Sequence, residues 1–194
     1  MYGTLITKVK ARQVYTNRGK PGIEVTVTTE SGAVGKGMCT SGISIGTHEV
    51  DFVFDGGKKF GGKGVGRALD SVDNVIAPKI IGMDAANQTE VDLAILNMMP
   101  DAKEKLGGHA VAATSAAVLK AGANALGIPL YRHIGGAGAM YLPVPGVAMA
   151  AGDERYGGGI TTPGGKPTMS VMAFGFDSFS DASYACWDVH TRWA

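Results

Sequence analysis

"GHAVAATSAAVLKAGANA", residues Gly108–Ala125, is the stretch on which the fold turns. It carries eight alanines and one charge, Lys120, and it reads as a helix. Side chains this short let neighbouring backbones approach on several sides. The helix is therefore expected at the centre of a domain.

Two further helices are predicted on its N-terminal side. One follows "TEVD", Thr89–Asp92, which fits a capping box, with Val91, Ile95 and Met98 on one face. The other carries Val65, Ala68, Leu69, Val72, Val75 and Ile76 as an apolar stripe, and Pro78 is expected to stop it. Nearer the N-terminus the period falls to two. In "KVKARQVY" Val9 and Ala11 alternate with Lys8, Lys10 and Arg12; in "IEVTVTT" Ile23, Val25 and Val27 alternate with Glu24, Thr26 and Thr28. Both read as half-buried strands. A turn at Glu30–Gly32 leads into "AVGKGMC", a third strand weakened by glycine, so residues 1–39 predict a three-stranded antiparallel meander.

Composition bounds what the chain can do. At 194 residues it can bury one sizeable core, or one domain and part of a second. A hydrophobic content of 45% against 18% charged residues is that of a globular protein. A net charge of +1 supplies no basic field for nucleic acid, and nothing draws the chain to an anionic membrane surface. No apolar run approaches the roughly 20 residues a bilayer requires, and "MYGTLITKVKAR" lacks the layout of a signal peptide. A cytoplasmic protein is expected. Cys39 and Cys186 lie far apart without metal-ligand spacing, so each reads as a small buried hydrophobe.

The 30 glycines follow no fixed period and gather where the chain turns. One cluster, "GKKFGGKG" at Gly57–Gly64, matches the spacing of a phosphate-binding loop. Gly64 stands where a magnesium-binding hydroxyl is needed, and Asp51 interrupts "VDFVFD", where a buried parallel strand should precede it. It reads instead as a glycine-rich helix entry. Past "HIGGAGAM" the composition shifts. Only 51 residues run from Val144 to Ala194, and they include the patternless "YGGGITTPGGKP".

Taken in order, "KVKARQVYTNRGKPGIEVTVTTESG", "TSGISIGTHE", "GGKGVGRALDSVDNVIAPKIIG", "KEKLGGHAVAATSAAVLKAGANALGIPLYRHIGG" and "LPVP" resemble the N-terminal half of enolases from about Ile6 to Pro145. Enolases are magnesium-dependent lyases that interconvert 2-phosphoglycerate and phosphoenolpyruvate. The resemblance implies an α+β fold: an enolase-like capping domain over residues 1–135, with its meander followed by a helical bundle, then a linker at 136–143. Residues 144–194 would be the incomplete start of a β/α barrel. A whole barrel takes ~250 residues, so the chain is expected to be a fragment, inactive alone and exposing apolar surface, of a protein that is commonly a homodimer.

The resemblance also assigns the lid. In enolases a Ser-Gly-Ala-Ser-Thr-Gly loop closes over a small phosphorylated carboxylate, and its second serine ligates a magnesium ion that arrives with substrate. Here that places Ser41, Gly42, Ser44, Gly46 and His48 in the substrate lid, with Ser44 as the Mg2+ ligand and the two glycines as pivots. His48 and Glu49 would fix the lid through hydrogen bonds. His109 and His133 read as packing or capping residues, and His190 supports no inference. The base lysine and the carboxylates of the first metal would lie beyond Ala194.

Departures accompany the likeness. "DSRGNPT" of the family is "TNRGKPG" at Thr16–Gly22, "RDGD" is "FDGG" at Phe54–Gly57, and "LGANA" is "LGGHA". Arg155 falls near an active-site histidine, and Thr168 near a glutamate that assists proton transfer. A threonine cannot act as acid or base near neutral pH. Two alternatives follow: a non-catalytic enolase-like module, or a divergent enzyme acting on another small carboxylate.

Overall fold

The computed structural model describes residues 3–41, 48–150 and 169–193. The chain divides into two compact units, Met1–Gly138 and Ala139–Ala194.

The first unit begins with an antiparallel meander. Strands β1 (Ile6–Tyr15), β2 (Pro21–Thr29) and β3 (Val34–Thr40) pair in the order β1-β2-β3. The register sets Val25 against Ala11 on one side and Gly37 on the other. Ile23, Val25 and Val27 are wholly buried, as their alternation predicts. The opposite face of β2 is less open than a half-buried strand would be. Glu24 there is also buried, because Arg12 Nε of β1 donates to its carboxylate at 2.8 Å and Lys36 of β3 approaches at 3.9 Å. The Arg12 hydrogen bond holds the Glu24 carboxyl below its ordinary range.

Helix α5 (Gly108–Ala125) occupies the centre of the unit and packs on β2 and β3. Ala110, Ala113, Ala117 and Ala121 line its buried face. The glycines of β3 make this packing possible. A Cβ on Gly37 would stand 2.7 Å from the amide nitrogen of Ala117 and closer still to the carbonyl oxygen of Ala113; one on Gly35 would collide with the backbone at Ala117 and Ala121. Glycines expected to weaken the strand thus let strand and helix backbones touch.

Groups outside the sheet also engage backbone atoms on both of its outer strands. Along β3, Lys120 Nζ donates to the Lys36 carbonyl at 2.9 Å and Asn124 Nδ2 to the Val34 carbonyl at 2.7 Å. Along β1, Ala11 N donates to the Asp73 carboxylate at 2.9 Å, and Ile6 N to the Met83 carbonyl at 2.8 Å.

The first predicted helix differs from expectation. It starts as α1 (Gly66–Asp70), widens into a π-helical turn at Ser71–Ile76 and continues as α2 (Ala77–Ile80). Pro78 does not stop it. Proline sits at the start of α2, directly after the widened turn, where its missing N–H and its ring are accommodated. Val75 is exposed, whereas Val65, Ala68, Val72, Ile76 and Ile80 are buried.

Helix α3 (Gln88–Leu96) is capped two residues earlier than the predicted Thr89. Its cap is Asn87, whose side chain accepts from Glu90 N while its Nδ2 donates to Glu90 Oε2 at 2.9 Å. Two short helices, α4 (Ala102–Leu106) and α6 (Leu130–Gly135), were not predicted. His133 lies on α6 and is half-buried.

In the second unit, β4 (Gly146–Ala150) and β5 (Met169–Met172) pair antiparallel, and α7 (Phe179–Trp193) follows. The described part is a strand pair and a helix, and contains no parallel βαβ unit. His190 lies on α7. Ala182 and Cys186, one turn apart, form its buried stripe, and Tyr184 and Trp187 are exposed. No single helix among the described residues is long and apolar enough to cross a membrane.

Candidate functional site

The predicted lid is entered from β3 and left toward α5. Thr40, the last residue of β3, pairs with Gly22, and Ser41 follows it half-buried. Gly42, Ser44 and Gly46 lie outside the described residues, as do Arg155 and Thr168. The chain re-enters the description at His48, which is exposed.

The segment after His48 is anchored across the start of α5. Gly108 N donates to the Asp51 carbonyl at 3.2 Å. The Phe52 ring stacks on the His109 imidazole with centroids 4.3 Å apart and planes 16° from parallel, and Phe54 flanks the same imidazole at 6.1 Å. His109 is wholly buried, and neither ring nitrogen has a hydrogen-bond partner. Burial pushes its pKa down to about 4, so the ring is neutral at physiological pH. The reading of His109 as a packing residue agrees with this placement.

At the next step Asp55 turns inward on the backbone. Its carboxylate accepts from Gly66 N at 2.9 Å and Arg67 N at 2.8 Å. These are the first amides of α1, so the place that a phosphate would take at a glycine-rich helix entry is filled by the chain's own carboxylate. The intervening "GKKFGGKG" forms a 3-10 turn at Lys59–Gly62, and the described residues directly before it, 48–58, contain no strand. The rejection of a nucleotide-binding loop there has a physical basis.

The two ends of the lid stretch meet the helices at a groove of about 450 Å³. Cys39 comes from β3, Glu49 and Phe52 from the returning segment, and Asp92, Lys103 and Ser115 from the helices. Gln88 Nε2 ties this wall together, donating to Asp92 Oδ1 at 3.0 Å and Ser115 Oγ at 3.0 Å. Burial raises the Cys39 thiol pKa, so the sulfur is protonated and a poor nucleophile. Among the described residues no group of three or more His, Cys, Asp and Glu side chains converges on a point. The described part of the chain does not by itself fit a magnesium ion. Its chemistry is that of a support: it holds Thr40 on one side of residues 42–47 and Asp51 on the other, and offers polar groups nearby.

Sequence reasoning placed Ser41 and His48 on opposite sides of this stretch but missed the Phe52–His109 stack. The signal was available, as an imidazole in the otherwise small-residue "LGGHA" and aromatics at alternate positions in "DFVFD".

Comparison with known proteins gives this arrangement a setting. The family described as "Enolase, N-terminal domain" matches residues 6–134. The enolase of Methanopyrus kandleri is 42% identical over 178 residues, 91% of this chain and 41% of that protein. The enolase of Thermococcus gammatolerans is 47% identical over 141 residues, 72% of this chain and 33% of that protein. That of Methanococcus aeolicus is 40% identical over 182 residues, 93% and 42% of the two chains. The chain thus spans about two fifths or less of the length of these curated relatives.

Proposed function

Since this chain belongs to the enolase family, we propose that it forms the capping part of a lyase that reversibly dehydrates 2-phosphoglycerate to phosphoenolpyruvate. In that reaction a base removes the proton next to the carboxylate, the hydroxyl of the neighbouring carbon leaves as water, and a carbon–carbon double bond forms. The part proposed for residues 1–138 is to bind, orient and shield. Residues 144–194 are proposed to begin the barrel domain that carries the reacting groups.

The observation that carries this reading is the anchoring of both ends of the Ser41–His48 stretch. One end is held by the ladder between Thr40 and Gly22, the other by the Gly108–Asp51 hydrogen bond and the Phe52–His109 stack. A substrate lid needs fixed stems, since only a stretch with defined ends returns to one closed position and expels water each time. Ser41, Gly42, Ser44, Gly46 and His48 are the proposed lid residues, with Ser44 as an oxygen ligand for Mg2+. A hard cation suits this role because it accepts hydroxyl and carboxylate oxygens. A cytoplasmic homodimer is proposed with it.

The test is 2-phosphoglycerate dehydration in magnesium-containing buffer, followed for the gene's full product and for residues 1–194 alone. Turnover in the full product and none in the isolated chain is expected. No turnover in either would favour a non-catalytic module or another small carboxylate.

A further inference from the structure

We infer that the linkage between Asp55 and Gly56 is a site of spontaneous isomerisation to isoaspartate, and that the entry of α1 is the latch that keeps it closed. The inference is independent of the proposed reaction, since it concerns the chemistry of the backbone itself.

The reaction needs an aspartate followed by a backbone nitrogen that no side chain shields. Asp55 and Gly56 are the one Asp-Gly pair in the 194-residue sequence, which holds no Asn-Gly pair. Without a Cβ, Gly56 leaves its nitrogen open to approach and gives the backbone the freedom that closing a five-membered ring requires. Gly56 N attacks Asp55 Cγ and gives its proton to solvent, and one Cγ oxygen departs as water, leaving a succinimide. A second water then opens the ring. Addition at Cγ returns aspartate. Addition at the Asp55 main-chain carbonyl carbon breaks its bond to Gly56 N, so the chain now runs through the side-chain carbon and the former main-chain carbonyl becomes a free carboxylate. One water leaves and one enters, and the mass is unchanged.

In the folded chain both reacting groups are held. Asp55 Oδ2 accepts from Gly66 N at 2.9 Å and Oδ1 from Arg67 N at 2.8 Å, so each carboxylate oxygen is bound to the start of α1. Gly56 N, the nucleophile, donates to the Gly62 carbonyl at 2.9 Å, and Asp55 N to the Gly64 carbonyl at 2.9 Å. The space around the carboxylate is shaped to it. A Cβ on Gly64 would collide with Asp55 Oδ2, and one on Gly66 would stand 3.2 Å from the same oxygen. Bare backbone at both positions lets the carboxylate settle on the helix amides. Asp55 and Gly56 are both exposed, so hydrogen bonding and not burial is the protection.

Ring closure therefore requires the cap on α1 and the pairing of Gly56 with Gly62 to open together, and its rate follows how often this end of the helix opens. The consequence runs one way. Isoaspartate lengthens the backbone by one carbon and moves the carboxylate, so Gly66 N and Arg67 N lose their acceptor and a helix that has frayed once is left uncapped.

The test incubates the full gene product well below its melting temperature beside a free peptide of residues 50–61, and follows isoaspartate at residue 55 by electron-transfer fragmentation mass spectrometry. The folded protein is expected to isomerise about tenfold or more slowly than the peptide. Gly64→Ala evicts the carboxylate while leaving Asp55 and Gly56 in place, and is expected to speed the folded protein's reaction roughly fivefold or more. Equal rates in protein and peptide would overturn the proposal, as would a peptide that forms no isoaspartate or a folded Gly64→Ala with the parent's rate. If circular dichroism shows Gly64→Ala unfolded, Ala68→Gly loosens α1 from its interior without touching the carboxylate's surroundings, and the parent's rate in that variant would overturn the proposal equally.

Discussion

Gly37 meets the backbone of Ala113 with no space for a side chain between them: a Cβ on this strand residue would press into the helix carbonyl oxygen. Neither side can yield, because each belongs to a hydrogen-bonded element, β3 and α5.

Gly37→Ala is therefore expected to cost about 3 kcal/mol or more, at the upper end of overpacking, since backbone and not a flexible side chain must move. Lys36→Ala on the exposed face should change stability by less than about 1 kcal/mol. Urea denaturation of the two variants checks the contrast.

The stability of the first unit should fall on acidification through His109. Its folded pKa of about 4 lies below the ordinary 6.5, so the unfolded chain takes up the proton first. The contribution is complete above about pH 6.5 and is lost as the pH falls from there toward 4, amounting to about 3 kcal/mol at most. In His109→Phe this part of the pH dependence should vanish; an unchanged slope between pH 6.5 and 4 would assign it to other groups.

Asp55→Ala removes the acceptor for Gly66 N and Arg67 N. A loss of about 1 kcal/mol is expected, the usual size for an N-terminal cap, and Asp55→Asn should recover most of it. Thermal denaturation followed by circular dichroism measures both.

Chelation by EDTA should abolish 2-phosphoglycerate turnover in the full gene product, and magnesium should restore it. Ser44→Ala should lower kcat/KM by roughly tenfold to a hundredfold, the range found when support for a metal site is removed. Full activity in that variant would argue against a ligand role for Ser44.

Much of the fold was legible because its strongest signals were local. Alternation in Ile23–Val27 and the alanine content of Gly108–Ala125 each follow from one element's own burial. The continuation of the helix past Pro78 was not legible, since it depends on a π turn that leaves no mark in the apolar spacing. Helix α7 was missed although "SFSD" precedes its apolar stripe: Ser178 Oγ accepts from Asp181 N at 3.1 Å, an N-terminal cap that could have been read. At the candidate site the lid stretch was found from its motif. The stack beneath it was not, because Phe52 and His109 are far apart in sequence and only the tertiary fold joins them.

Both outer strands of the meander have backbone groups that the molecule itself already engages. Asp73 and Met83 take the amides of Ala11 and Ile6, and Lys120 and Asn124 take the carbonyls of Lys36 and Val34, so an added strand could pair at those positions only by displacing these contacts. Edge-to-edge growth of the sheet from one copy into the next is disfavoured at these four positions, because each would first have to give up a bond within its own fold.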